Sequence, residues 1–247
     1  MEKENFAHQL VSKAMDREEA LLTEVRAIIF DFDGLLVDTE TCMYKVWETL
    51  LAPYNVDVSP LQVAGLVGCS APATFLHQKY RQVTGTNIAN EKITSLVLSK
   101  AYELVEKLDA REGVREYLEC AKRSGWKIAL ATSSESAHYL PILKRLELHT
   151  LFEHFIGAED IVLARRKPEP DVYLKAVEKL GVESSQVIAF EDSPPGITAA
   201  KAAKITTVAV PNFLTRHLDV SHAHRVLHSM AEISLPQLIT ELTERRQ

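Results

Sequence analysis

A chain of 247 residues, 46% hydrophobic and 25% charged, can bury a full core without disulfides and suits one large domain or two small ones. A formal net charge of −6 argues against nonspecific nucleic-acid binding, which needs basic surface, but not against a phosphorylated small molecule. The three cysteines Cys42, Cys69 and Cys120 lack metal-like spacing, no stretch reaches the roughly 20 apolar residues of a membrane span, and the acidic start Met1-Glu2-Lys3-Glu4-Asn5 is unlike a secretory or mitochondrial leader. The expectation is a cytoplasmic protein without a membrane partner, a monomer being the simplest case.

Residues 1–24 read as an amphipathic helical extension, with Phe6, Leu10, Val11, Met15 and Leu22 at helical spacing. Packing across a domain edge is the expected role; a partner-binding helix is the alternative. The apolar run Ala27-Ile28-Ile29-Phe30 then predicts a strand buried on both faces. It delivers Asp31-Phe32-Asp33-Gly34-Leu35-Leu36-Val37-Asp38-Thr39-Glu40. Asp31 and Asp33 point the same way from an extended chain, at the strand end where parallel sheets hold ligands. Such a pair suits a metal, a nucleophile, or both.

A helix is expected over Thr39–Leu51, and residues 54–109 show helical periodicity without a convincing strand. Within them Ser70-Ala71-Pro72 reads as a helix start, and Asn90 as the cap of a helix with Ile93, Val97, Ala101, Leu104 and Leu108 on one stripe. From Gly113 onward helix and strand alternate. Strands are predicted over 126–131, 155–157, 187–190 and 206–210, and helices over 114–123, after Ser134, and near 170–180, 194–203 and 235–245. The fold class is α/β: a doubly wound, Rossmann-like parallel sheet formed by 25–39 and 110–247, with an all-helical cap inserted over 40–109.

Polar residues follow the later strands as well. Thr132 and Ser133 stand at the expected start of the next helix, as a phosphate cradle or a plain N-cap. Lys167 lies in the stiffened run Arg165-Arg166-Lys167-Pro168-Glu169-Pro170-Asp171, either to neutralise an oxyanion or as a solvated basic turn. Glu191 and Asp192 precede Ser193-Pro194-Pro195-Gly196, where they suit a hard cation such as magnesium, or Asp192 or Ser193 caps the following helix.

These four motifs, in this order over about residues 25–210, resemble those of the haloacid dehalogenase-like superfamily, in the branch of β-phosphoglucomutase and sugar-phosphate phosphatases. The resemblance implies Asp31 as nucleophile and Asp33 as acid/base. It further implies Thr132, Ser133, Lys167 and Gly34 around the phosphoryl group, and magnesium on Asp31, the Asp33 carbonyl, Asp192 and Glu191. Asp33 separates phosphoryl transfer from dehalogenation. Relatives that act as mutases place a histidine where this chain has Met43, and cap cations where it has Val67 and Ala71, so hydrolysis of a small phosphorylated metabolite is expected. A phosphosugar mutase is the alternative, and a non-catalytic binding protein on the same fold the remote one. Arg166 stands where relatives usually place glycine, which puts the local backbone in question. Cys69 and Ser70 are expected to line the substrate pocket, with Thr74 and His77 nearby, and His217, His222, His224 and His228 are expected at the surface.

Overall fold

A computed structural model describes residues 25–67 and 74–244. The expected extension 1–24, the helix start at Ser70-Ala71-Pro72, and Cys69 and Ser70 lie outside these residues. Six parallel strands form one sheet: β1 (Ala27–Phe30), β2 (Lys127–Ala131), β3 (His154–Ile156), β4 (Val187–Glu191), β5 (Thr206–Ala209) and β6 (Arg225–Val226), in the spatial order β3-β2-β1-β4-β5-β6. The chain winds outward from β1 on one side and from β4 on the other. The β1/β4 boundary is therefore a topological switch point, where open α/β sheets place ligands.

Alternation along the strands builds the two faces. Ile28, Phe30, Ile128, Leu130, Ile188 and Phe190 point to one side. They pack there against α5 (Val114–Arg123), α6 (Ser136–Arg145) and α9 (Leu235–Glu244). Ala27, Ile29, Ala129, Ala131 and Ala189 point to the other, where α7 (Asp171–Leu180) and α8 (Pro194–Ala202) lie over mostly small side chains. Between β1 and α5 the described residues form, after an isolated Asp33–Val37 bridge, the helices α1 (Thr39–Leu51), α2 (Pro60–Ala64), α3 (Thr74–Thr84) and α4 (Asn90–Val105), with a short 3-10 turn. These pack around their own cluster, which includes Trp47, Leu51, Ile93 and Val97.

Several local expectations are corrected. Strand β6 was not foreseen. Asn90 is the first residue of α4 and not its cap; its side chain accepts from Arg81 Nη1 at 2.5 Å. Helix α6 begins at Ser136, so Thr132 and Ser133 lie in the loop before it. Ser193 flanks α8 without a side-chain capping bond. Arg166 has φ −71° and ψ 167°, ordinary extended backbone, so no strain replaces the glycine of relatives.

Candidate active site

Each strand-end residue arrives at the switch point. Asp31 follows β1, and Lys167, from the loop before α7, places Nζ 2.5 Å from Asp31 Oδ1, 2.6 Å from Glu191 Oε1 and 2.9 Å from the Ala131 carbonyl. All three ammonium donors are thereby used. The Tyr173 hydroxyl donates to Glu191 Oε1 at 2.5 Å, and the Asp192 N–H to Glu191 Oε2 at 3.2 Å. Glu191 thus turns both oxygens toward protein donors. Asp192 Oδ2 accepts from Asn212 Nδ2 at 2.8 Å.

One oxygen from each of Asp31, Glu191 and Asp192 falls within 4.8 Å of the others, all three residues being buried. Burial pushes the Asp31 carboxyl up to about 8, Lys167 opposing and Glu191 adding to the shift. Burial, with Asp31 and Glu191 close by, likewise holds Asp192 well above the ordinary carboxylate range. Lys167 is raised as well: burial disfavours its charge, but the Asp31 and Glu191 carboxylates prevail and lift it above the ordinary lysine value. One ammonium does not neutralise three buried carboxylates. An oxygen-only donor set with surplus negative charge fits a hard divalent cation. Among the described residues this triad is the metal-like cluster; His217, His222, His224 and His228 contribute to none.

Asp33 is held separately. Its Oδ1 accepts from the Thr39 hydroxyl at 2.6 Å and lies 2.8 Å from His138 Nε2, and its Oδ2 accepts from the Ser134 hydroxyl at 2.5 Å. Burial alone would raise this carboxyl, but the hydrogen bond and charge of His138, with Ser134 and Thr39, hold it below the ordinary value. His138 Nδ1 is 2.9 Å from the Tyr102 hydroxyl on α4, linking the helical block to Asp33.

Gly34 turns the chain at φ +75°, and a Cβ there would run into the Asp192 carboxylate and the Asn212 amide. Its carbonyl accepts from Arg111 Nη1 at 2.5 Å, and Arg111 also donates to the carbonyls of Val210 (2.9 Å) and Pro211 (2.8 Å). Arg111→Ala is expected to lower stability by about 2–4 kcal/mol, because three carbonyls lose a charged donor. Urea unfolding checks this; an unchanged midpoint would show that the arginine does not fasten this loop. At Gly196, in the first turn of α8, a Cβ would overlap the Glu191 carboxylate, so the close approach of helix and site requires glycine.

Thr132 is buried, its Oγ1 accepting from the Ser134 N–H at 3.1 Å. With Ser133, Lys167 and Arg166 it lines a cavity of about 370 Å³ over Asp31. A second cavity of about 310 Å³ adjoins it, sharing Asp33, Glu40 and Ser134. Burial pushes the Glu40 carboxyl up to about 8, with Asp33, Asp31 and Asp38 adding to the effect. Sequence reasoning missed His138, Tyr102, Tyr173, Asn212 and Arg111. None stands in a motif; strand order and helix packing bring them in.

A doubly wound parallel sheet with buried acids and one lysine converging at its switch point defines an α/β enzyme whose oxygen donors fit a hard cation. The profile of the family described as haloacid dehalogenase-like hydrolase matches residues 28–210. The chain is 37% identical over 221 residues to YhcW of Bacillus subtilis, covering 90% of this chain and 99% of that protein. It is 30% identical over 190 residues to hexitol phosphatase B of Escherichia coli, covering 76% and 84%. Among solved structures, CbbY from Rhodobacter sphaeroides in complex with phosphate superposes with a TM-score of 0.63 at 26% identity, covering 84% of this chain and 96% of that one. The chain belongs to the haloacid dehalogenase-like hydrolases.

Proposed function

We propose that this protein is a magnesium-dependent phosphatase that hydrolyses a small phosphomonoester, a sugar phosphate or related metabolite, through an aspartyl-phosphate on Asp31. The observation that carries the reading is the division of labour between two nearby acids. Asp31 lies among the cluster that fits a cation, while Asp33 has its own set of hydrogen-bond donors. Similarity to hexitol phosphatase B and to a phosphate-bound CbbY supports the same reaction class.

Lys167, bonded to Asp31 Oδ1, orients the nucleophile for attack on phosphorus, which replaces one difficult displacement by two easier ones. The Thr132 hydroxyl and the Ser133 backbone N–H hold phosphoryl oxygens, and Lys167 offsets their charge. Asp33, which His138, Ser134 and Thr39 favour in its ionised form, takes a proton from the hydrolytic water and in its protonated form gives one to the departing alkoxide. Asp31, Asp192 and the Asp33 carbonyl, with Glu191 direct or through water, would hold magnesium, whose positive charge would offset repulsion between the carboxylate and an anionic substrate. Residues 40–109 serve as a cap that closes over the substrate and excludes bulk water.

Hydrolysis is favoured over mutase chemistry because the cavity beyond Asp33 has no Lys or Arg among its described lining residues to hold a second phosphate. The sequence Gly68-Cys69-Ser70-Ala71-Pro72-Ala73 carries none either. The purified protein is expected to release inorganic phosphate from a metabolite panel with magnesium and none after chelation. Isomerised sugar phosphate without phosphate release would overturn the reading.

The raised acids also predict how magnesium acts on stability. Asp31 is raised from 3.8 to about 8, so its stabilising effect in metal-free protein is fully present below about pH 4 and is lost as pH climbs toward 8. Magnesium needs the ionised forms, so its stabilisation is larger at pH 8 than at pH 5. At roughly 100 times Kd it adds about 2.7 kcal/mol, or roughly 5–10 °C in Tm for a chain of this size. Thermal melts at both pH values check this; an equal or larger shift at pH 5 contradicts it.

A further inference from the structure

The two cavities form one cleft whose halves differ in chemistry. The phosphoryl half holds the cations Lys167 and Arg166. The other half is walled by Met43, Leu98, Ala101, Tyr102 and Val105, with no Lys or Arg among its described lining residues. Its one histidine, His138, is committed at both ring nitrogens, to Asp33 and to Tyr102. Asp33 stands on the seam between the halves, and the oxygen it protonates must sit there too. The departing alcohol therefore extends into the apolar half. Glu40 lines both halves, and among the described residues its carboxylate has no hydrogen-bond or ion-pair partner. Tyr102 is 41% exposed and offers part of its ring as a wall.

We propose that this cleft selects phosphomonoesters whose alcohol portion is uncharged and presents an apolar face, and rejects those whose alcohol carries a carboxylate or a second phosphate. The inference rests on the phosphatase reading above. An anion in the apolar half gives up hydration without gaining an unpaired cation, because the charge of His138 is already taken by Asp33 at 2.8 Å, and it meets that carboxylate. An uncharged alcohol buries its carbon face and keeps Glu40 as a hydrogen-bond partner for a hydroxyl. Discrimination thus comes from a repulsive element as much as from an attractive one.

Phenyl phosphate and 4-carboxyphenyl phosphate test this, being matched in shape and differing by one carboxylate. The carboxylated phenol is the better leaving group, so chemistry alone favours it. With magnesium present, kcat/KM is expected to favour phenyl phosphate by at least about tenfold, the size of one uncompensated like-charge contact in a partly screened site. Met43→Lys, which adds a cation to the apolar wall, is expected to narrow that ratio by at least about tenfold. Equal use of both esters by the native chain overturns the inference and leaves the phosphatase reading standing. Hydrolysis of neither, with phosphate still released from the metabolite panel, overturns the inference alone; no release from either set overturns the phosphatase reading with it.

Discussion

Asp31→Asn is expected to cut turnover at least about 10⁴-fold, the scale of removing a nucleophile, while leaving the metal-free protein at least as stable as the native chain. The two effects have different origins. Asparagine keeps an oxygen for Lys167 Nζ, which lies 2.5 Å from Asp31 Oδ1, so the loop before α7 retains its anchor. It also removes one of three buried carboxylates that repel one another, two of which are raised above their ordinary range. Losing one negative charge relieves the cluster but leaves no group able to form an acyl phosphate. Phosphate release and a thermal melt on the same preparation check both halves. Retained activity would remove Asp31 from the nucleophile role; a collapse in Tm would show that the carboxylate serves the fold.

Asp33→Asn is expected to cost about 10²–10⁴-fold in turnover on alkyl phosphates, the usual range for general acid–base catalysis. Asparagine keeps acceptor and donor positions for Thr39, His138 and Ser134, so the site's shape is preserved. The proton transfer is what disappears. With 4-nitrophenyl phosphate, whose leaving group needs no proton, the first step survives and only the water step slows. The variant should then give a burst of nitrophenol followed by slow turnover. Equal slowing of the burst and of the later turnover would place Asp33 outside the proton-transfer role. His138 and Tyr102 add a second layer, since they hold this acid from α6 and α4 and fix where it points.

How far the chain could be read in advance depends on the range of the interactions. The ends of β1, α1 and α5 fall where local pattern put them, β1 as an unbroken apolar run, and the structure adds Asp38 as the cap of α1, its side chain accepting from the Thr41 N–H at 3.2 Å. Asp31, Asp33, Glu191 and Asp192 were legible because each lies at or just past the end of its strand. By contrast, β6 is Arg225–Val226, two half-buried residues whose only signal is pairing with β5. Asn90 has the chemistry of a cap, but Arg81 engages its side chain. The supporting residues of the site come from far along the chain: His138 is 105 positions from Asp33, and Arg111 is 77 from Gly34. No periodicity encodes such meetings. Strand order contributes to them, by placing β2, which α6 follows, on one side of β1 and β4 on the other.

A covalent Asp31 intermediate is the core of the mechanism, and the stereochemical course at phosphorus reveals whether it forms. Hydrolysis of a phosphomonoester made chiral with oxygen isotopes is expected to proceed with overall retention, because attack by Asp31 and then by water are two inverting displacements. Overall inversion would mean that water attacks the substrate in one step, and would contradict the aspartyl-phosphate at the centre of this mechanism.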